Sequence, residues 1–324
     1  MTPERPVASV SLDLDDLWTY LRTRGDSAWE TRPSYLGLFL PRMLELLGRL
    51  DLRITFFVVG FDATREANAP HLRALAERGH EIGNHSFWHE CWLQRYSPAR
   101  LDEEIARAHE ALFAATGQAP TGFRGPGFSW SPELFEVLAR RGYLYDASTF
   151  PTFLGPLARL YFLASAKLSA QERAERASLF GAFRDGFRPN RAYAWRLPEQ
   201  RRLVEVPVTT MPVLRTPFHM SYLLYLSRFS TALMRGYLRL ALAACRTCRV
   251  VPSFLIHPLD LLGGDEVTQL GFFPGMDLSS ARKTALVTEV LGVLREQFDL
   301  VTVRAHAERT LAGAEGRRVV ALAA

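Results

Sequence analysis

Residues 7–16 read VASVSLDLDD, an apolar run that closes on three carboxylates, Asp13, Asp15 and Asp16. Val7 to Leu12 reads as a buried strand, and parallel α/β folds place their chemistry at the C-terminal ends of such strands. Three carboxylates within four residues repel one another unless a cation or a proton separates them. One could cap a following helix, but hardly all three.

Working outward, residues 35–50 predict a helix with Leu36, Leu40, Met43, Leu44 and Leu47 on one face, and 54–59 (ITFFVV) a second buried strand. A helix over 69–77 closed by Gly79, a short strand over 80–83, and a helix opened by Pro98 and ended by Gly117 follow. A strand end at 121–124 and a helix from Pro132 continue the alternation. The βαβα rhythm predicts a parallel sheet with helices outside it, open or closed into a barrel. It breaks after Phe150 and resumes with strands over 203–208, 250–256 and 300–303 and a helix over 279–297.

The 324 residues (36.6 kDa) are 48% hydrophobic, 23% charged and 11% aromatic, which excludes disordered, collagen-like and disulfide-framework classes. The length exceeds the ~250 residues of a lone barrel by roughly 70. Lys plus Arg total 39 against 34 Asp plus Glu, a net charge of +5, and only Lys167 and Lys283 are lysines. So small an excess, with no recognition motif, argues against nucleic acid. Of the three cysteines, Cys245 and Cys248 form one CxxC, which without a second ligand pair is weak evidence for a metal or redox site. Residues 1–16 hold no apolar run of signal-peptide length, and no stretch reaches ~18 uncharged apolar residues, so the expectation is a cytoplasmic chain.

Two more clusters fall at predicted strand ends. GNHSFWHE carries His85 and His89, four apart, as on one side of a helical turn, a common metal-ligand spacing. FRGPGFSWS carries Arg124, positioned to pair with a carboxylate, and glycines that permit close backbone approach. His257, in FLIHPLD, ends a very apolar strand at the same mouth, where it can act as a general acid. Two imidazoles and one carboxylate around a divalent ion leave positions open for water and substrate.

In order and spacing, Asp13-x-Asp15, His85-x-x-x-His89, Arg124-Gly-Pro-Gly127 and Leu255-Ile-His257 resemble the motifs of NodB-type polysaccharide deacetylases, carbohydrate esterase family 4, over about 5–150 and 200–305. The first motif resembles the Asp-x-Asp variant seen in lipid-linked aminoarabinose deformylases. The resemblance implies a distorted (β/α)7 barrel, here carrying two largely helical insertions at 153–190 and 219–245 in one domain over 1–324. It also implies metal-dependent removal of an N-acyl group, acetyl or formyl, from an amino sugar. The implied metal is zinc, with cobalt, manganese, iron or nickel as alternatives, held by Asp15, His85 and His89. Asp13 is then the base, Arg124 its orienting partner and His257 the acid, while Gly125, Pro126, Gly127, Phe128 and Trp88 contact substrate. A shifted alignment, with Asp15 as base and Asp16 as ligand, is the less favoured alternative. The aspartate that usually partners the acid has no clean counterpart between 195 and 215, leaving Asp146 and Asp260 as candidates.

The stretch 219–245 is rich in Leu, has Arg228, Arg235 and Arg239, and lacks acidic residues. It reads either as a helix lying in a membrane surface, with Leu224 and Tyr237 among its contacts, or as a buried helix on the barrel. Phe153 to Leu168, with Arg159 and Lys167, is similar. The expectation is an amino-sugar glycan substrate carried on a lipid at the cytoplasmic membrane face. The rivals are a soluble oligosaccharide or small amide, for which the insertions form a lid, and a catalytically inactive carbohydrate-binding protein.

Overall fold

The computed structural model describes residues 5–166, 168–313 and 319–321. Ten strands form one mixed sheet: β1 Val7–Leu14, β2 Thr55–Val58, β3 Glu81–Asn84, β4 Gly122–Phe123, β5 Tyr145–Asp146, β6 Tyr193–Arg196, β7 Arg202–Glu205, β8 Ser253–Ile256, β9 Asp299–Val301 and β10 Val319–Ala321. Seven of them run parallel in the order β8-β1-β2-β3-β4-β5-β7. Beyond β7 the chain swings round to the far edge, where Thr209 N donates to Ser253 O (3.0 Å) and Ser253 N to Thr209 Oγ1 (2.8 Å). These two bonds draw the seven strands into the (β/α)7 barrel. β6 pairs antiparallel with β7, β10 extends it, and β9 adds to β1.

Helices fill the outside because their apolar positions recur on one face. In Leu36–Arg49 the five predicted residues are buried, each worth roughly 1.5–3 kcal/mol relative to exposure. Pro98–Thr116 begins where Ser97 accepts from Arg100 N and stops at Gly117, whose φ of 74° suits a residue without Cβ. Along β1, Ala8, Val10, Leu12 and Leu14 pack toward the helices, while Ser11 and Asp13 face Arg124 across the interior. The strand thereby separates a greasy outer face from a polar inner one.

Residues 153–190 fold as helices Gly155–Ser165 and Ala170–Glu175 with short 3-10 turns; Lys167 lies outside the described residues. Arg176 ties this segment to the helix Leu17–Arg24, donating to Thr23 O (2.8 Å) and Arg22 O (3.0 Å). The stretch 219–245 becomes two helices, Met220–Ser227 and Thr231–Thr247, separated at Ser230, whose hydroxyl caps the second.

Of the proposed surface contacts Leu224 and Tyr237 are turned inward, while Tyr225, Phe229, Leu233 and Leu240 remain exposed. Leu224 is buried with Leu223, Met234, Leu238, Leu242 and Cys245 in the core that also holds Phe254, Val287 and Leu291. The apolar stripe is a core-facing one, repeating at helical spacing. Tyr237 is held inward by its hydroxyl bonds to Thr216 Oγ1 and Pro217 O, both 2.7 Å. Acidic partners absent from the stretch come from elsewhere: Arg228 meets Asp277 (2.9 Å) and Arg235 meets Glu289 (2.8 Å). Arg239 remains exposed. Cys245 is buried, Cys248 half-buried, and both are free thiols. Among the described residues no helix is long and apolar enough to cross a membrane.

Candidate functional site

The ends of β1, β3, β4 and β8 bring the sequence-predicted residues to one mouth of the barrel. Asp15 lies just past β1, with its Oδ1 2.9 Å from His89 Nε2 and 3.2 Å from His85 Nε2. One donor atom from each of the three lies within 4.8 Å of the others, and all three residues are buried. His85 Nδ1 sits 2.7 Å from the Arg124 carbonyl. A carbonyl only accepts, so Nδ1 carries a proton and Nε2 is the nitrogen turned to Asp15. Asp15 Oδ1 and both His89 ring nitrogens are buried without a hydrogen-bond partner. Burial acts to raise the Asp15 carboxyl, but the facing imidazoles, His89 foremost, hold it well below the usual carboxylate range. A buried oxygen and imidazole nitrogens, converging and unsatisfied, make a donor set that fits a divalent cation.

The two histidines do not share a helical turn, as their spacing suggested. Residues 85–90 form an irregular loop in which Ser86 (φ 62°) and His89 (φ 53°) take left-handed backbone. Local bonds maintain it: Ser86 N donates to Asn84 Oδ1 (2.8 Å) and His89 N to Ser86 Oγ (3.1 Å). Glu104, on Pro98–Thr116, accepts from both Phe87 N (2.9 Å) and Trp88 N (2.6 Å). Strained backbone of this kind persists where its surroundings over-determine it.

Asp13 pairs with Arg124, whose Nη1 approaches Asp13 Oδ1 at 2.6 Å and Ser11 Oγ at 2.9 Å while Nε donates to Ala147 O at 2.9 Å. The guanidinium is fully buried and stacks over Phe57, 4.3 Å from the ring centroid. Asp16 stands apart: its Oδ1 accepts from Leu17 N (2.8 Å) and Tyr35 N (3.0 Å), capping Leu17–Arg24. Burial pushes the Asp16 carboxyl up to about 6 against those bonds. Gly125 is required by space, since a Cβ there would lie 1.9 Å from Ser129 O. Gly127 (φ 59°) and Phe128 (φ 61°) turn the loop back, and Phe128 stacks on Phe150 (4.8 Å) behind Pro126. Trp88 stacks on Phe61 (5.1 Å).

His257 Nε2 is 3.8 Å from Asp13 Oδ2, and its side chain is 20% exposed. Its Nδ1 side faces Ser221 Oγ (3.3 Å) and, at 4.0 Å, Asp260 Oδ2. Of the two candidate partners, Asp260 is thus the neighbour. Asp146 is engaged elsewhere: its carboxylate accepts from Ser148 N (2.8 Å) and Oγ (2.7 Å), and Ser148 Oγ accepts from Gly125 N (2.8 Å). Burial first, then the charge of Glu205, holds the Asp146 carboxyl well above its ordinary value.

Several contributors were not read from sequence. Tyr35 donates its hydroxyl to the Asp15 carbonyl, and the half-buried Tyr20 feels the charges of Asp15, Asp260 and Asp13. Glu104, Ser11 and Ser221 lack any motif of their own. A cleft of about 260 Å³ between Phe187, Arg191, Arg215 and Cys248 contains none of the clustered residues.

Residues 8–145 match the family model for polysaccharide deacetylases, a span that includes Asp13, Asp15, His85, His89 and Arg124. Over that N-terminal part the chain is similar to the polysaccharide deacetylases. It is 30% identical over 118 residues to a peptidoglycan deacetylase of Helicobacter pylori, covering 35% of this chain and 39% of that protein. It is 35% identical over 104 residues to a chitooligosaccharide deacetylase of a Bradyrhizobium species, covering 32% and 46%. The chain therefore spans less than half the length of these curated relatives. Its fold is shared by a polysaccharide deacetylase structure from Mycobacterium smegmatis described as putative, at TM-score 0.64 and 18% identity over 100% of this chain and 97% of that one. Puue allantoinase shares it at TM-score 0.57 and 14% identity, covering 97% and 93%.

Proposed function

We propose that this chain hydrolyses the N-acyl group of an amino sugar in a glycan, releasing a carboxylate and a free amine. The observation that carries the reading is the meeting of Asp15, His85 and His89 beside the Arg124–Asp13 pair, with His257 Nε2 3.8 Å from Asp13 Oδ2. Asp15, His85 and His89 would hold a divalent cation, zinc in our reading, which would supply Lewis acidity toward the acyl oxygen and make water more acidic. Asp13, kept in place by Arg124, takes the proton of the attacking water. His257 then delivers a proton from Nε2 to the departing nitrogen, which leaves poorly as an amide anion. Phe128 and Trp88 contact the sugar, and the Gly125–Gly127 turn lets it approach the backbone. Mass spectrometry of N-acetylated chitooligosaccharides treated with the zinc-supplemented chain tests this. A loss of ~42 Da per sugar for acetyl, or ~28 Da for formyl on a formylated substrate, is expected from hydrolysis by this chemistry. Unchanged masses for every glycan, lipid-linked ones included, would overturn it.

The substrate in this reading is carried on a lipid at the inner membrane face. Support comes from the helix Gly155–Ser165, where Leu157 (64% exposed), Leu160 (66%) and Tyr161 (60%) face outward. It lies in the segment that packs Leu179 against Gly127 beside the mouth. An apolar rim of this kind suits a lipid surface. Flotation with anionic vesicles checks it: the chain should float, and Leu157→Glu/Leu160→Glu should not. A chain that never floats and deacylates soluble oligosaccharides equally well points to the soluble substrate.

A further inference from the structure

The stretch 219–245, which the barrel does not need for closure, places one side chain in the site. Ser221 is the second residue of Met220–Ser227, and its hydroxyl lies 3.3 Å from His257 Nδ1. Asp260 cannot take the Nδ1 proton directly, because its nearer oxygen is 4.0 Å away and already accepts from His257 N at 2.8 Å. Ser221, 3.3 Å from Nδ1, and Asp260, 4.0 Å from it, face the same ring nitrogen, and the hydroxyl acts to lower the Asp260 carboxyl. Asp260 is 2% exposed, and the Lys283 ammonium stands behind it, bonded to Leu259 O (2.7 Å) and Leu262 O (2.8 Å).

We infer that Ser221 and Asp260 form a two-step relay, Nδ1–H to Ser221 Oγ and Ser221 Oγ–H to the Asp260 carboxylate, that positions His257 and fixes its proton on Nδ1. A serine hydroxyl accepts and donates at once, so it bridges a gap too wide for a direct bond. The neutral imidazole left after His257 gives up its Nε2 proton is then the tautomer that the relay holds, and Nε2 is free to be recharged. The other groups facing the ring are consistent with this polarity. Asp13 from β1 lies on the Nε2 side. His219, 6.4 Å away between ring centroids, is held neutral down to about 3 by burial and by the His257 charge. Tyr20, from Leu17–Arg24, lies near Asp260 and Asp13. Ser221 and Asp260 are positioning residues; neither touches the site of attack.

The inference rests on the proposed role of His257 as acid, and its test separates the two. In the full chain labelled with ¹⁵N-histidine, long-range proton–nitrogen correlations report the His257 tautomer, assigned by its loss in His257→Gln. The relay predicts a single Nδ1–H tautomer, a mixture of tautomers in Ser221→Ala, and recovery in Ser221→Thr. In turnover of N-acetylated chitooligosaccharide, Ser221→Ala should lower kcat about tenfold with KM within about twofold. The basic limb of the kcat–pH profile should move to lower pH, since the cation loses its link to Asp260, and Asp260→Asn should move it the same way. A tautomer unaffected by Ser221→Ala overturns the relay whatever the turnover. A tautomer that depends on Ser221 in a chain without amidase activity upholds the relay and overturns the function.

Discussion

Replacing Arg124 by methionine keeps the side-chain length and removes the charge that faces Asp13. The wild-type guanidinium is fully buried, and the Asp13 side chain is only 6% exposed, so water does not replace the lost partner. Three acceptors are stranded at once: Asp13 Oδ1, Ser11 Oγ and Ala147 O. Removing one member of a buried ion pair costs about 3–5 kcal/mol, mostly because the other charge is left uncompensated. We expect Arg124→Met to lose about 4 kcal/mol in urea unfolding at pH 7, followed by circular dichroism, with kcat down at least about 100-fold. Asp13→Asn removes the orphaned charge. The double variant should therefore be more stable than the two single losses predict, with a coupling of about 2 kcal/mol. A loss below about 1 kcal/mol for Arg124→Met, with additive behaviour in the double variant, would refute the argument that this pair is what holds Asp13.

Glu104→Ala leaves the Phe87 and Trp88 amides without their acceptor and loosens the loop that carries His89. Zinc affinity, measured by competition with a chelating dye, should fall about tenfold, and stability by about 2 kcal/mol. Leu238→Ala should cost about 3 kcal/mol in urea unfolding while leaving vesicle flotation unchanged, because that side chain is core (2% exposed). Acid should destabilise the fold through His80 and His306, each lowered to about 4, first by burial and then by neighbouring arginine charge. Their folded values lie below the unfolded ~6.5, so this stability is complete above pH 6.5 and is lost as pH falls toward 4. Each should forfeit about 2 kcal/mol by pH 5, and His306→Gln should roughly halve the slope of urea midpoint against pH.

Helix limits were legible where punctuation was strong. Pro98 and Gly117 bracket a helix observed as Pro98–Thr116, and 69–77 is observed as Ala69–Glu77. The site residues were legible as motifs because they cluster at strand ends: Asp13 at the end of β1, and Asp15, His85, Arg124 and His257 just past β1, β3, β4 and β8. The backbone that aims them was not. Spacing alone cannot distinguish a helical turn from a loop with Ser86 and His89 in left-handed conformation, and the residue that stabilises the loop, Glu104, lies 15 positions beyond His89. The stretch 219–245 was legible only in part for a related reason. Its missing acids arrive from Asp277 and Glu289, and its apolar stripe finds a core built from β8 and the helix Ser280–Gln297. Likewise Ser221 carries no signature; it acquires its place only when the start of Met220–Ser227 is laid against His257.

The central claim is that Asp15, His85 and His89 act together as a cation site at the mouth of the barrel. Elemental analysis of the full chain, purified without chelator and compared with His85→Ala and His89→Ala, tests it most directly. The account predicts close to one equivalent of divalent metal in the wild type and little in either variant, with circular dichroism unchanged. A folded wild-type chain that takes up no metal from zinc-, cobalt- or manganese-supplemented buffer, or variants that retain a full equivalent, would contradict it.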